Sequence, residues 1–314
     1  MYTWCVRGGE NIMRKISLLC ACLFIMFLGH ADASFGQGTP AFDSVRAFAL
    51  LKRQCDFGPR PVGGAAHERT RDFLAAQLRL YTNSVELQNF QYTYGGKIYH
   101  LSNIIAKFGN TKSPGVLLCA HWDTRPTSDE ELNPNDRKKP IMGADDGASG
   151  VAVLIELARC FHLKPPQVPV TIVLFDGEDF GETVDDMLLG SRHFAGTLGN
   201  KPNFRYGILL DMIGDKELDI YRERNSQIAA PAVVDKIWKA AADLGYRTSF
   251  INSIKYSMDD DHIPLIRAGL PCVDLIDFDY PYWHTLKDTP DKCSPQSLKI
   301  VGDTLVRVVY EERN

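Results

Sequence analysis

The segment "VPVTIVLF", Val168 to Phe175, is apolar on both faces that a strand would present, with Thr171 its one hydroxyl, and it runs directly into "DGEDFGE", which carries Asp176, Glu178, Asp179 and Glu182. A strand with no polar face has to be covered on both sides, and the common solution is a largely parallel sheet with helices packed on both faces. Three further runs have the same character: "GVLLCA" (Gly115 to Ala120), "YGILLD" (Tyr206 to Asp211) and "CVDLI" (Cys272 to Ile276). Between and after them, apolar residues recur at helical spacing: Val151, Leu154, Ile155 and Ala158; Val234, Ile237, Trp238 and Ala241; Leu298, Val301, Leu305 and Val308. These stripes are core faces. Two earlier helices are predicted over Phe42 to Gln54 and Glu68 to Leu80, separated by the loop "FGPRPVGG". The expected fold is a single α/β domain with a central mixed, mostly parallel β-sheet flanked by helices. A chain of 314 residues that is 45% hydrophobic and 24% charged has ample material for it.

The beginning of the chain reads differently. Arg14 and Lys15 precede an apolar run from Ile16 to Leu28, and Ala31 to Ala33 offers a small-residue cleavage site. The run is short for a bilayer span. Residues 1–33 are therefore expected to be a signal peptide and 34–314 the functional domain, exported to the periplasm or secreted, with no stable membrane insertion of the mature chain. A membrane anchor is the lesser alternative. The residues ahead of Met13 do not resemble the start of a signal, which points to translation from Met13. Lipid attachment at Cys22 is disfavoured because little of the apolar run precedes it. Beyond Ala33 five cysteines remain, Cys55, Cys119, Cys160, Cys272 and Cys293; an odd number leaves at least one unpaired or bridging chains, and no CxxC pair supports a thiolate metal site. A net charge of -4 with no dense basic cluster excludes nucleic acid as a partner.

The acids and histidines are informative by position. His121 and Asp123 follow the first apolar run, Glu178 and Asp179 the second, Asp211 closes the third and His284 comes soon after the fourth. In an open parallel sheet the carboxyl ends of the strands converge on one edge, where such folds place their sites. The loop "GADDGASG" adds Asp145 and Asp146 just before the Val151 helix. Any single aspartate here has an ordinary reading as a solvated residue or a helix cap, and Asp145 suits a cap. Together these carboxylates would repel one another, and a divalent cation with mixed nitrogen and oxygen ligands, zinc above all, would neutralise them.

The ordered succession "HWDT", "GADDGASG", "FDGED", "LLDMIGD", "DDDHIP" and "WHTLKDTP" resembles the M28 zinc-peptidase superfamily, and within it the glutaminyl-peptide cyclotransferases, or glutaminyl cyclases, and their bacterial relatives. The resemblance runs from about Asp56 to the C-terminal helix and implies the layered sheet of the zinc exopeptidases. It implies Asp146, Asp179 and His284 as zinc ligands, with Glu178 as the general acid/base. His121 and Asp211 match the second-metal ligands of dinuclear aminopeptidases, while in cyclases the Asp211 position joins an acid network. Asp260 matches a cyclase acid beside Asp211 and Glu178. Trp283 resembles a tryptophan of the pocket wall, and Tyr280 stands in for a pocket phenylalanine. The Asp146–Gly147 bond matches a position that is often cis. One zinc is implied for a cyclase and two for an aminopeptidase, with peptide or protein N-termini as substrate in both cases. A non-catalytic member of the superfamily is a third possibility.

This chain departs from the animal cyclases in several places. Asp179 is one methylene shorter than their glutamate, Phe180 to Leu188 holds no tryptophan, and their active-site disulfide has no counterpart. Other candidates have plainer readings. Arg125 is expected in a surface ion pair, and "ERNS" (Glu223 to Ser226) either positions substrate or caps a turn. His193 is expected to be an ordinary helix residue, His262 sits close enough in sequence to orient Asp260, Asp176 supports the turn from behind, and Glu182 is solvated.

Overall fold

The computed structural model of the protein describes residues 38–110 and 112–314; the expected signal at 1–33 lies outside them. In chain order the elements are α1 (Ser44–Cys55), α2 (Ala65–Arg79), β1 (Val85–Tyr94), β2 (Lys97–Phe108), β3 (Gly115–His121), α3 (Ala148–Leu163), β4 (Val170–Phe175), α4 (Leu189–Thr197), β5 (Phe204–Asp211), β6 (Ile220–Arg222), α5 (Arg224–Ala229), α6 (Pro231–Asp243), β7 (Phe250–Ile254), α7 (His262–Arg267), β8 (Cys272–Ile276) and α8 (Pro295–Glu311). Six strands form one sheet in the order β1-β2-β4-β3-β5-β8. β4, β3, β5 and β8 are parallel, whereas β1 and β2 form an antiparallel hairpin joined to the edge at β4. A two-stranded parallel pair, β6 and β7, stands apart. The expected mixed sheet is present, and the four apolar runs are its parallel strands.

Double coverage is visible residue by residue. Along β3, Val116, Leu118 and Ala120 pack into the larger core, while Leu117 and Cys119 pack into a smaller one on the other face. β4 divides the same way, with Val170, Ile172 and Leu174 on one side and Val173 and Phe175 on the other. The larger core is closed by α1, α3, α6 and α8, and the smaller by Phe194 of α4 and Leu265 of α7. Burying each Val, Leu, Ile or Phe among them contributes on the order of 1.5–3 kcal/mol, which explains why these strands present no polar face.

The hairpin β1–β2 was not anticipated from the four apolar runs. Its signal is a looser alternation around "YTYGGKIY", with Gly95 and Gly96 both at positive φ in the turn. The five cysteines beyond residue 33 are all free and buried. No helix among the described residues is long and apolar enough to cross a membrane.

Helix α3 sits so tightly on the sheet that a Cβ on Gly150 would lie 2.4 Å from the Leu210 carbonyl oxygen and 3.0 Å from the Ala120 Cβ. The obstacle is strand backbone, which cannot rotate away. Gly150→Ala is therefore expected to cost about 1–3 kcal/mol by overpacking, despite the better helix propensity of alanine. Urea denaturation checks it; an unchanged midpoint would mean that α3 can move off β5 freely.

Candidate metal centre and active site

The carboxyl ends of β3, β4 and β5 deliver His121, the Glu178–Asp179 pair and Asp211 to one edge of the sheet. The chain passes from β3 to β4 on one side and then to β5 on the other, so a crevice opens at this edge. Two loops complete it: the turn leading into α3 brings Asp146, and the segment after β8 brings Trp283 and His284. Asp146, Asp179 and His284 place one ligand atom each within 4.8 Å of one another, as do His121, Asp146 and Asp211. Asp146 is thus shared between the two groups. His121 Nε2 lies 3.1 Å from both Asp146 Oδ1 and Asp211 Oδ1, and His284 Nε2 lies 3.4 Å from Asp179 Oδ1 and 3.6 Å from Asp146 Oδ2.

Buried supports fix these side chains. The Asp123 carboxylate accepts from the main-chain amides of Glu178 (3.1 Å) and Asp179 (3.3 Å), which ties the end of β4 to the end of β3. Asp288 accepts from the amides of Asp145 (2.8 Å) and Asp146 (3.2 Å). Arg60, fully buried, donates to the carbonyls of Trp122, Met142 and Gly143 and so clamps the loop that precedes Asp146. Asp176 accepts from the Ser102 amide and lies 2.7 Å from His67, which stacks on Trp122; it supports the turn from behind, as expected. Gly147 takes φ 98°, and a Cβ there would stand 2.7 Å from the Asp123 carbonyl oxygen and 3.0 Å from His121. Two non-glycine residues at the site also have positive φ, Met212 at 44° and His284 at 52°, a backbone cost of the kind found at functional sites.

Several expectations need correction. Arg125 is buried and not a surface residue: it donates to Asp129 through Nε and Nη2, and its Nη1 donates to Asp179 Oδ1 at 3.2 Å. Tyr280 does not line the pocket; it is turned inward, donating to Asp288 at 2.7 Å, and Phe278 takes the wall position beside Trp283. The Asp146–Gly147 bond is trans, as are the other peptide bonds among the described residues. Asp145 does not cap α3, whose N-cap is Gly147; its side chain accepts from the Gly214 amide instead. His262 turns its ring nitrogens toward Glu223 and Asp274. Glu223 does cap α5, His193 lies in α4 stacked on Phe90, and Glu182 is exposed. Asp129 escaped sequence reasoning because nothing in "SDEELN" marks one acid from its neighbours, yet its Oδ1 lies 3.3 Å from His284 Nδ1.

Electrostatics follow from crowding and burial. Burial, then Asp179, pushes the Glu178 carboxyl well above the ordinary carboxylate range, and the same two causes raise Asp146 to about 7. Asp179 goes the other way: burial opposes its charge, but His284 and Arg125 hold it down at about 2. For His284 burial disfavours the imidazolium, yet Asp179, Asp129 and Asp146 raise it to about 10. Glu178, Asp260, Asp211 and Trp283 face a small pocket of about 70 Å³, with Met187, Met258, Ile276 and Phe278 as its apolar lining. The donor set fits zinc: two imidazoles and several carboxylates, with His121 Nδ1 and Asp179 Oδ2 buried without a hydrogen-bond partner.

An open α/β sheet with such a donor set at its carboxyl edge is the layout of a metal-dependent enzyme. The model of peptidase family M28 matches residues 103–309, and the chain belongs to that family. The crystal structure of Tannerella forsythia glutaminyl cyclase superposes with a TM-score of 0.83 at 38% identity, covering 87% of this chain and all of the other. That of a leucine aminopeptidase precursor from Bacteroides thetaiotaomicron superposes with a TM-score of 0.85 at 34% identity, covering 88% and 99%. An aminopeptidase of Bacillus subtilis is 26% identical over 220 residues, 66% of this chain but 43% of the relative's length. The family and its enzymatic character are clear, and both activities occur among its close structural neighbours.

The titrations fix a sign for stability. Asp146 and Asp261, each at about 7 in the fold against 3.8 ordinarily, bind more protons folded than unfolded between those values; His284, at about 10 against 6.5, does so between 6.5 and 10. Stability falls with rising pH across both windows, whereas the depressed Asp179 contributes its opposite slope below 3.8. The metal-free protein is therefore expected to melt at a lower temperature at pH 8 than at pH 5, and saturating zinc to narrow the gap. Calorimetry with and without chelator measures both; a metal-free midpoint rising from pH 5 to 8 would contradict this account of the cluster.

Proposed function

We propose that this chain is a zinc-dependent glutaminyl-peptide cyclotransferase, exported after loss of residues 1–33, which converts an N-terminal glutamine of peptides or proteins to pyroglutamate with release of ammonia. The observation that carries this reading is Asp260: it is buried, faces the same small pocket as Glu178 and Asp211, and is held above the ordinary carboxylate range by burial and then by Asp211. Hydrolysis needs no third acid there. The likeness to the Tannerella forsythia cyclase supports the same reading.

Asp146, Asp179 and His284 would hold one zinc, which would supply the positive charge that polarises the side-chain amide carbonyl of the glutamine. The substrate's α-amine nitrogen attacks that amide carbon, forming the lactam C–N bond as the bond to the amide nitrogen breaks. Glu178 takes a proton from the attacking amine and returns one to the departing ammonia, so no water is consumed. Burial and Asp179 raise its proton affinity above that of an ordinary carboxylate, the direction a general acid/base needs. Asp260 and Asp211 lie beside the position where the substrate nitrogen would sit, and Trp283 and Phe278 wall the pocket around the apolar part of the side chain. A pocket this small suits one terminal residue.

A second reading keeps a specific observation of its own. His121, Asp146 and Asp211 form a further ligand group, as a dinuclear aminopeptidase requires, with Glu178 then activating water against the peptide bond. The paired assay decides: zinc-loaded protein is offered an N-terminal glutaminyl peptide and a leucyl peptide. Pyroglutamate and ammonia without leucine release, at about one zinc per chain, are expected; leucine release with two metals would replace this reading by the second.

Two substitutions sharpen it. Glu178→Gln is expected to lower kcat by at least about 100-fold, the scale of a general acid/base, with zinc content unchanged; near-normal turnover would remove Glu178 from the mechanism. Asp129→Ala removes the carboxylate 3.3 Å from His284 Nδ1 and is expected to weaken zinc binding by about 10–100-fold, read by competition with a chromogenic chelator.

A further inference from the structure

The hairpin β1–β2 is longer than the sheet needs. β2 runs antiparallel to β4 with Phe108 opposite Val170 and Ile104 opposite Leu174, while residues 97–103 pair with β1 alone. The distal half of the hairpin therefore projects past the carboxyl end of β4, on the edge of the sheet that carries the site. Strand alternation gives this half one aromatic face: Phe90 pairs with Leu101 and Tyr92 with Tyr99, and Tyr94 lies two residues beyond Tyr92. The loop that follows the candidate zinc ligand Asp179 packs on that face. The Phe180 ring stands edge-to-face against Tyr99, Tyr94 and Tyr92, with centroids 4.8, 5.4 and 5.7 Å away, the arrangement aromatic rings favour. The Tyr92 hydroxyl donates to Asp186 Oδ1 at 2.6 Å, and Phe90 stacks on His193 of α4 at 4.5 Å.

From these anchors the loop reaches the pocket in a few bonds. The Leu188 amide donates to the Glu178 carbonyl at 2.9 Å and closes the loop at its base, and the Asp186 amide donates to the Thr183 carbonyl at 2.8 Å. Asp186 Oδ2 accepts from the Thr183 hydroxyl at 3.0 Å, so one carboxylate joins the hairpin to the body of the loop. Met187, the next residue, lines the pocket, with its sulfur 3.7 Å from Arg125 Nη1. That same nitrogen donates to Asp179 Oδ1 and to the Gly181 carbonyl, both at 3.2 Å. Leu188 then takes φ 57°, a left-handed conformation that a leucine adopts only where its surroundings impose it. Phe180 and the three tyrosines are not part of the pocket wall. We propose that the projecting half of the hairpin is a strap, and that Phe180 and Tyr92 are positioning residues that hold Met187 against the pocket and so set its fit to a terminal side chain. The proposal deepens the cyclase reading and rests on it for its kinetic arm alone.

Two measurements on the zinc-loaded protein test it. In the first, amide hydrogen exchange is followed by mass spectrometry. Phe180→Ala is expected to speed exchange in the segment 181–188 by about 10-fold or more while β3 and β4 stay unchanged, and Phe180→Tyr, which keeps the ring, to stay within about twofold of the wild type. Unchanged exchange in that segment would overturn the strap. So would a rise shared equally by β3 and β4, the mark of general destabilisation. If Phe180→Ala does not fold, Tyr92→Phe, which removes only the hydroxyl bonded to Asp186, carries the same test with a rise of about threefold. In the second, turnover of a glutaminyl peptide is measured. Phe180→Ala is expected to raise KM about 10-fold with kcat within about threefold and zinc content unchanged, the split that a lost fit produces. Met187→Ala is expected to raise KM as well, and Phe180→Ala/Met187→Ala no further than the larger of the two single effects. Additive increases in KM would overturn the path through Met187, and so would loss of zinc in Phe180→Ala, which would place its effect on Asp179. Should the wild type form no pyroglutamate while exchange in the loop responds as expected, the function reading falls and the strap stands.

Discussion

Buried negative charge at one edge of a sheet is the constraint on which the rest of this structure depends. Asp146, Glu178, Asp179 and Asp260 are all buried within one small site. At an effective dielectric of about 20, two carboxylates 4 Å apart repel by about 4 kcal/mol, a large fraction of what a domain has to spare. The chain answers with Arg125 against Asp179, with His121 and His284 between the carboxylates, and with raised proton affinity at Glu178 and Asp146. Those responses are partial, and a divalent cation would complete them.

Holding such a site needs a rigid frame, and the apolar strands supply it. Because the apolar side chains of β3 and β4 are committed to one core or the other, the ends of those strands have little freedom to spread apart under the repulsion they carry. The second layer works at shorter range. Asp123 joins two strand ends through main-chain amides, Asp288 orders the turn before α3, and Arg60 replaces with three hydrogen bonds what would otherwise be unpaired carbonyls. The left-handed backbone at His284 persists because its ring is fixed on both nitrogens by carboxylates.

Cyclisation and hydrolysis differ here in what surrounds a common centre. Both use an acid such as Glu178 beside a metal, and neither the sheet nor the shared Asp146 distinguishes them. On the proposed cyclase reading the difference lies in the far wall, where Asp260 lines the same small pocket as Asp211 and Glu178. A reaction that moves protons between two nitrogens of one substrate has use for an acid held in a fixed place; a water-activating site has less.

Much of this was legible in the chain. Strands with no polar face required a covered sheet, acids placed just after them required a site at its carboxyl edge, and helical stripes supplied the layers, since these follow from local periodicity and burial. The residues brought together there, His121, Asp146, Glu178, Asp179, Asp211, Asp260 and His284, are the ones whose positions after strands and in short motifs marked them. Contacts between segments distant in sequence had no such mark. Arg125 reads as an exposed charge until Asp179, 54 residues later, is folded against it, and Tyr280 reads as a pocket aromatic until Asp288 draws it inward. Asp129 and Asp274 are single acids in unremarkable surroundings until His284 and His262 are beside them. The sequence by itself determined the layers and the edge at which the chemistry gathers, because period and polarity act over a few residues. Which side chains orient that chemistry was decided by tertiary structure, because a hydrogen bond or ion pair depends on a direction and a distance that no spacing along the chain encodes.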